Sequence, residues 1–426
     1  MSEPHKKWMK LDNAAKIYPA TMTRAWMALF RFSTTLIDPI EPQLLQRALD
    51  RTLRRFPSMA QKLKKGFFWF YMEHNDKQLV VQPDVGNPCV RMDFKENNGF
   101  MLRVRYHENR IAVEFFHMLT DGTGGLSFLK TLTAEYIFLR YGVRVPAEDG
   151  VLDCDESPRR EELEDSFAKY ARGMTRSRRE AKSYFIPGTE EEHFMHITTG
   201  LIDVQKALEL SRGYGCSLTE LLTSVLILSI DELQLRNRPK RRKLRPVKVS
   251  VPVNLRNYYP SPTVRNFSSF VNPGIEPKYG QYTLEETIKQ VKGFMAKETD
   301  EKLLNARFST NVMSERHRVM RMVPLFIKSQ AMKVAFLSKG DKQSSSTLTN
   351  LGNVKIPKEM TEYVARMDVQ LGPLKRNRVG CAVLSYNGTL MINFTRKIME
   401  SQVERNFFTR LVRLGLKVVI ESNQQW

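Results

Sequence analysis

The residue types best able to do chemistry stand together in one short stretch, FFHMLTDG. The apolar run Ile111 to Phe116 predicts a strand, and His117 follows it directly. Asp121 and Gly122 come next, so the motif is His-x-x-x-Asp-Gly. A histidine titrates near neutral pH, and its neutral form can take a proton from a hydroxyl, an amine or a thiol. His117 is therefore the predicted general base.

The other residues of the motif are predicted to shape the turn. Asp121 is close to His117 in sequence, so we expect it to pair with an arginine or a backbone amide. Gly122, Gly124 and Gly125 permit positive φ and close approach of backbone or ligand. The competing interpretation is that the histidine only makes a structural hydrogen bond.

Two other kinds of chemistry are not favoured by the pattern. A zinc site needs at least a third ligand, and none of the 7 His and 4 Cys residues has ligand spacing with the motif. No nucleophile elbow is present that would make His117 part of a triad. The sequence therefore predicts neither a metal nor a covalent intermediate.

Length and composition predict the general organisation. A chain of 426 residues exceeds one ordinary domain, which favours two lobes. We assign residues 1–145 to an N-terminal lobe carrying the motif, 146–190 to a charged linker or crossover, and 191–426 to a C-terminal lobe. The 4 cysteines lack disulfide spacing, and no signal sequence or membrane-spanning run is evident. We expect a soluble, cytoplasmic protein.

The chain is strongly basic, with a net charge of +21. Such a surface attracts nucleic acid, anionic lipid, an acidic carrier protein or a phosphorylated cofactor. The densest basic cluster, Arg236 to Lys248, has no aromatic interleaving and no nucleic-acid-reading motif. We interpret it as a solvated loop, or alternatively as a patch for the phosphates of coenzyme A. No nucleic-acid partner is expected.

Periodicity predicts the elements around the motif. Residues 23–35 alternate as a strand, and Glu41 to Phe56 has the leucine stripe of a helix. Two short strands, Phe67 to Glu73 and Gln78 to Gln82, are expected to pair across a turn. After the motif, Gly125 to Arg140 is a predicted helix.

The second half has its own signals. Ser217 and Glu220 form a capping box before an apolar helix. Val247 to Arg256 is a predicted strand, and Asn387-Gly388 is a hairpin turn between two more. Glu400 to Val419 is expected to be the last helix.

FFHMLTDGTGG followed by an amphipathic helix resembles the signature of acyltransferases related to chloramphenicol acetyltransferase. That superfamily includes peptide-synthetase condensation domains, plant BAHD acyltransferases, wax-ester synthases and alcohol O-acetyltransferases. Condensation domains usually carry two adjacent histidines, whereas Phe116 precedes His117 here, a pattern closer to the alcohol O-acetyltransferases. The order of predicted elements agrees over most of the chain. The Asp-Phe-Gly-Trp-Gly motif of the plant enzymes is absent from the sequence.

The resemblance implies an α/β fold with two lobes, each a mixed sheet with flanking helices, and a tunnel between them. It implies transfer of an acyl group from acyl-coenzyme A, a cosubstrate rather than a bound cofactor, to a small alcohol or amine. His117 would take the acceptor's proton in the middle of the tunnel. A monomer is expected.

The resemblance also implies roles for residues outside the motif. Arg256 would support the active-site turn as the partner of Asp121, with Asn266 in the loop that follows. Three polar residues of a later strand could donate a hydrogen bond to a developing oxyanion: Thr347, Thr349 and Asn350.

Two alternatives stay open. One is a condensation-type enzyme that uses thioesters bound to an acyl carrier protein, whose acidity would suit the basic surface. The other is a non-catalytic relative that binds a polyanion, nucleic acid or another partner.

Overall fold

The computed structural model describes eight ranges of the chain: 8–23, 26–173, 181–192, 194–236, 243–316, 322–335, 342–372 and 376–424. The strands in these ranges are β1 Trp8–Lys10, β2 Leu29–Leu36, β3 Gln61–Lys65, β4 Phe70–His74, β5 Gln82–Pro83, β6 Leu102–His107, β7 Arg110–Phe116, β8 His196–Asp203, β9 Val247–Asn254, β10 Ser268–Val271, β11 Gly274–Ile275, β12 Ser346–Asn353, β13 Val364–Leu371, β14 Val379–Tyr386, β15 Thr389–Arg396 and β16 Val419–Ser422. The α-helices are α1 Ile17–Thr21, α2 Pro42–Arg55, α3 Gly122–Tyr141, α4 Ser166–Tyr170, α5 Val204–Gly213, α6 Leu218–Arg236, α7 Leu284–Glu298, α8 Glu301–Arg316, α9 Leu325–Ala335 and α10 Gln402–Arg413.

Two mixed sheets dominate the architecture. The first has the order β13-β2-β7-β6-β5, antiparallel except for the β5–β6 pair. The second has the order β10-β9-β12-β14-β15-β8-β16, with β11 also on β9 and β12 parallel to both of its neighbours. A small antiparallel sheet, β1-β4-β3, lies apart from them. The predicted α/β class with two mixed sheets and flanking helices is confirmed.

The first sheet takes one strand from the far end of the chain. β13 pairs antiparallel with β2, and Met367 lies opposite Thr34. The residues of the second half therefore complete the sheet that carries the His-x-x-x-Asp-Gly motif. The chain thus runs from β12 in the second sheet to β13 in the first sheet and back to β14 in the second. The domain boundaries assigned from the sequence remain a prediction.

The second sheet separates two hydrophobic cores. Successive residues of a strand point to opposite faces. On β14, Cys381 and Val383 belong to the core packed around α6, whereas Ala382 and Leu384 belong to the core of the first sheet. All four side chains are fully buried. The second sheet therefore has no solvated face at this strand.

Two predicted elements differ from those observed. Gln78 to Gln82 does not pair with β4, because the chain turns at Gly66 instead and β3 forms the hairpin with β4. The last helix ends at Arg413 rather than Val419, since Gly415 has φ +90° and ends the helical path before β16. Of the basic cluster, residues 237–242 lie outside the described ranges.

In the described parts of the chain, no single helix has the length and apolarity needed to cross a membrane. Helices α5 and α6 reach that length and apolarity only when they are taken together, and the chain bends by 82° between them.

Candidate active site

His117 stands at the end of β7 and is held by its backbone and its ring. Its N–H donates to the carbonyl of Ala28 across 2.9 Å, which continues the ladder with β2. Tyr18 stacks on one side of the imidazole, with ring centroids 4.9 Å apart and planes 20° apart. Phe30 contacts the ring edge to face at 5.0 Å. The imidazole thus has a fixed plane, and the residue as a whole is half-buried.

Asn266 fixes the tautomer of the histidine. Its Oδ1 lies 3.2 Å from Nδ1 of His117. Its Nδ2 donates to the carbonyl of Met118 and to the carboxylate of Asp12, each at 3.3 Å. Because a carbonyl only accepts, the amide nitrogen must face Met118 and the amide oxygen must face the imidazole. Nδ1 of His117 therefore carries the proton, and Nε2 has the free lone pair.

Asp12 extends this chain of hydrogen bonds into the interior. Its side chain is fully buried, accepts from the N–H of Ala15 at 2.7 Å, and lies 3.6 Å from the guanidinium of Arg265. Burial raises the pKa of Asp12 to about 6, although the charge of Arg265 opposes the change. A buried carboxylate is thus joined to the histidine through the amide of Asn266.

The imidazole itself favours its neutral form. Burial lowers the pKa of His117 below its ordinary value, and the nearby charge of Asp121 only partly offsets this. At neutral pH the ring is uncharged, and no residue in the described ranges donates a hydrogen bond to Nε2. The site therefore contains a neutral imidazole with one nitrogen available as a base.

Asp121 caps α3 and ties it to a distant loop. Its carboxylate accepts four hydrogen bonds: from the N–H of Thr123 (3.1 Å) and Gly124 (3.2 Å), from the N–H of Phe267 (2.7 Å), and from the guanidinium of Arg256 (2.8 Å). The first two satisfy N–H groups at the helix start. The last two join the turn to the segment after β9. Both oxygens of the carboxylate are therefore engaged by these four donors.

Arg256 has the position that the sequence analysis expected, opposite Asp121. Its guanidinium also donates to the carbonyls of Thr263 at 2.8 Å and Arg265 at 2.7 Å. The arginine side chain is 10% exposed and the aspartate 5%. These contacts fix the loop that carries Asn266. The ion pair therefore positions the residue that orients His117.

Close packing, not unusual backbone angles, explains Gly124 and Gly125. None of Gly122, Gly124 and Gly125 has a positive φ, so the expected use of that freedom is wrong; they begin an ordinary helix. A Cβ at Gly124 would overlap the carbonyl of Val264, to which Thr120 Oγ1 also donates at 2.6 Å. At Gly122 a Cβ would meet only the end of a leucine side chain, at 3.0 Å. The close approach is therefore most demanding at Gly124.

The three predicted oxyanion donors all lie on β12, but they differ in whether their side chains already have hydrogen-bond partners. Asn350 Nδ2 donates to Thr219 Oγ1 at 3.0 Å, and its Oδ1 accepts from the N–H of Gly352 at 2.9 Å, so its amide already has structural partners. Thr347 and Thr349 are half buried and make no side-chain hydrogen bond within the described residues. On the neighbouring strand β14, Ala382 lies opposite Thr349 and belongs to the hydrophobic core of the first sheet. Both threonines thus project from the face turned toward the first sheet.

Part of the predicted linker supports the site. The carbonyl of Glu162 accepts from the N–H of Val264 at 2.9 Å and from Thr263 Oγ1 at 3.2 Å. The carboxylate of Glu162 forms a buried, bidentate ion pair with Arg55, with N–O distances of 2.6 and 2.8 Å. The segment around Glu162 is therefore anchored between α2 and the loop that carries Asn266.

Asp12 and Tyr18 are the site residues that the sequence analysis did not assign. No motif in the sequence surrounds either residue. Burial raises the pKa of Tyr18, so its phenol stays protonated at neutral pH. Within the described ranges, no three His, Cys, Asp or Glu side chains are grouped as a metal site would require.

Comparison with sequence families gives no match: neither a family model nor a curated protein matches the chain. Solved structures do match. They include polyketide synthase associated protein 5 from Mycobacterium tuberculosis, with TM-score 0.62 and 18% identity over 95% of this chain and 96% of that one. Trichothecene 15-O-acetyltransferase from Fusarium sporotrichioides has TM-score 0.60 and 10% identity over 96% and 94%. A variant of the starter condensation domain of rhizomide synthetase, solved in complex with C8-CoA, has TM-score 0.56 and 12% identity over 96% and 94%.

These similarities extend over both sheets, because nearly the whole of each chain is aligned. At such low identity they establish a shared fold. The implied α/β fold with two mixed sheets is thus confirmed: the chain shares its fold with a condensation domain and an O-acetyltransferase.

Proposed function

We propose that this protein is an acyltransferase that moves an acyl group from a thioester to a hydroxyl or amine, with His117 as general base. One observation carries the proposal: Asn266 holds Nδ1 as the donor, at 3.2 Å, and leaves Nε2 unprotonated. A neutral imidazole with a fixed tautomer is the state that a general base needs before it accepts a proton.

The reaction follows from that state. The acceptor's oxygen or nitrogen attacks the thioester carbonyl carbon while Nε2 of His117 takes the proton from the attacking atom. The tetrahedral intermediate then collapses, the carbon–sulfur bond breaks, and the thiolate leaves. The proton on Nε2 passes to the departing sulfur, which restores the neutral ring. General-base assistance of this kind contributes roughly 10²–10⁴-fold, and alignment of two substrates contributes more.

The negative charge that develops on the carbonyl oxygen needs a donor. Thr347 and Thr349 stay our candidates, since their hydroxyls have no protein partner among the described residues and lie on the face of β12 turned toward the first sheet. Asn350 is the weaker candidate because Thr219 and Gly352 already engage its amide.

Acyl-coenzyme A is the donor we propose first. The similarity in fold to an O-acetyltransferase and to a domain solved with C8-CoA supports this choice. The chain's net charge of +21 suits the phosphates of coenzyme A. We propose a small alcohol or amine as acceptor.

The same charge favours a second donor, a thioester carried on an acidic carrier protein. A condensation-type enzyme would then need the carrier for turnover, and salt would lower its activity steeply because exposed charges are screened. Turnover with a carrier-bound acyl group that fails with the matching acyl-coenzyme A would select this donor.

The test is release of free thiol from acetyl- and longer acyl-coenzyme A donors with a panel of alcohols and amines. Wild type and His117→Ala are assayed in parallel, with thermal unfolding as the check on folding. We expect acceptor-dependent release in the wild type and a loss of roughly 10²-fold or more in the variant.

His107→Ala is the matched control, since this histidine lies on the neighbouring strand β6 and is exposed. Turnover of His107→Ala should equal that of the wild type. Full activity in His117→Ala would refute the assigned base.

A further inference from the structure

Exposed aromatic and aliphatic side chains form a surface patch on two segments that do not carry His117 or its hydrogen-bond partners. Phe67 and Phe68, in the turn between β3 and β4, are 71% and 42% exposed. Phe326 and Ile327, in the first turn of α9, are 63% and 49% exposed. A monomeric soluble protein rarely exposes several large apolar side chains together without a function. We call these four residues the apolar patch.

Direct contacts join the two segments into one surface. The N–H of Leu325 donates to the carbonyl of Phe67 at 2.8 Å. Lys328 Nζ donates to the carbonyl of Phe68 at 3.3 Å and lies 3.5 Å from the centre of the Trp69 ring. The start of α9 is thereby fixed against the turn. The exposed side chains of both segments are held together by backbone and cation–π contacts.

The surroundings of the patch are basic. The segments 61–74 and 322–335 contain five lysines and one acidic residue, Glu73. Lys62 and Lys64 share that glutamate, at 3.2 and 3.5 Å. Lys65 is exposed beside the turn and Lys333 half exposed on α9, and neither makes an ion pair within the described ranges. Unneutralised positive charge therefore accompanies the apolar side chains.

We propose that the apolar patch docks on the surface of an anionic lipid bilayer. Phenylalanine side chains at a turn tip enter the boundary between headgroups and acyl chains, and lysines beside them pair with anionic headgroups. A protein partner would be expected to receive such side chains in pockets, whereas protruding, highly exposed rings suit a fluid surface that adapts to them. Docking would bring the enzyme to apolar substrates that partition into membranes.

The experiment is co-sedimentation of the full chain with two kinds of vesicle, phosphatidylcholine alone and phosphatidylcholine with roughly one third phosphatidylserine. We expect partitioning onto the anionic vesicles to be about tenfold stronger, because two unpaired lysines accompany the patch. The double variant Phe67→Ser/Phe326→Ser should bind these vesicles about tenfold more weakly than the wild type.

Two control variants show whether a loss of binding belongs to the apolar patch. Tyr279 is 72% exposed but lies in the second half near β11, so Tyr279→Ser should bind like the wild type. His117→Ala should also bind normally, which keeps the result independent of the proposed catalysis. Both altered phenylalanine rings are exposed, and a thermal melt confirms that the double variant is folded.

Three outcomes would overturn the proposal. They are equal binding of the double variant and the wild type, absence of wild-type binding to anionic vesicles, and binding only to an acidic acyl carrier protein that the double variant loses. The last would assign the patch to a protein partner instead.

Discussion

Asn266 lies 3.2 Å from His117 although 149 positions separate them in the chain. Asp121 holds the loop that carries Asn266 in place through two hydrogen bonds. Asp121, four residues after the histidine, accepts the N–H of Phe267 at 2.7 Å and the guanidinium of Arg256 at 2.8 Å. The aspartate of the motif therefore acts on the histidine indirectly, by fixing the loop that carries the asparagine.

The first prediction concerns that asparagine. Asn266→Ala should lower kcat by roughly 10- to 100-fold, by analogy with the removal of hydrogen-bond partners that orient metal-bound histidines. KM should change little, because the substitution alters the tautomer and orientation of the ring rather than a substrate contact. Steady-state kinetics over a range of acceptor concentrations measure both quantities.

Asn393→Ala is the control for this substitution. Both asparagines are 1% exposed and hydrogen-bonded, but Asn393 pairs with Thr199 between β15 and β8. Loss of stability without loss of kcat is expected there. If both variants lost kcat equally, a general effect of buried asparagine would account for the result and the role of Asn266 would be refuted.

The second prediction is the position of the acid limb in the pH profile. Burial lowers the pKa of His117 below its ordinary value of 6.5, so the ring loses its proton at a lower pH than an exposed histidine. A general base works when unprotonated, so kcat/KM should be level at neutral pH and fall only below about pH 6.5. Thiol release measured from pH 5 to pH 8 with ionic strength held constant tests this. An acid limb centred above pH 7 would contradict the assignment.

The third prediction separates Asp121 from His117. Asp121→Asn places an amide group opposite Arg256, whose side chain is 10% exposed, and leaves the arginine without its carboxylate. Breaking such a buried pair costs about 3–5 kcal/mol of unfolding free energy. We expect lower stability in chemical denaturation and lower turnover, whereas His117→Ala should lose turnover alone.

Glu421→Gln is the comparison for the ion pair. It removes one of the two carboxylate partners of Arg366 in a more exposed pair, whose side chains are 29% and 47% exposed, and Asp368 remains as the other partner. Such pairs contribute at most about 1 kcal/mol. If Glu421→Gln and Asp121→Asn lowered the free energy of unfolding equally, burial of the Asp121–Arg256 pair would not increase its contribution to stability.

The sequence was sufficient to predict the parts of the site that are local. A strand that leads into His117 and a helix that begins after Asp121 follow from apolar periodicity and glycine placement, and the structure contains both. The Asp121–Arg256 contact was expected through the resemblance and is present. These features depend on residues a few positions apart or on a motif that many proteins share.

The parts that could not be predicted depend on long-range contacts. Asp12 reaches Asn266 across 254 positions, and no local pattern marks an isolated aspartate as buried. The pairing of β13 with β2 likewise joins segments from opposite ends of the chain, and strand periodicity does not identify a partner. The turn at Gly66 was missed because the run Phe67 to Glu73 is apolar enough to suggest a continuous strand.

The fourth prediction concerns the buried carboxylate. Burial raises the pKa of Asp12 from 3.8 to about 6 in the folded protein. Between those two pH values the folded state holds a proton that the unfolded state has released, so raising the pH lowers the unfolding free energy. Above this window the charged group costs about 3 kcal/mol. Asp12→Asn carries no charge and should not show this pH dependence.

Urea unfolding of the wild type and Asp12→Asn, between pH 4.5 and pH 7.5, measures the difference. Relative to the wild type, the variant should gain stability steadily as the pH rises and level off above the pKa of about 6. The absolute offset between the two proteins also contains the altered hydrogen bond to Asn266, so the slope of the difference is the informative quantity. Parallel curves would mean that Asp12 is already ionised throughout this range, and that its pKa is not raised by burial.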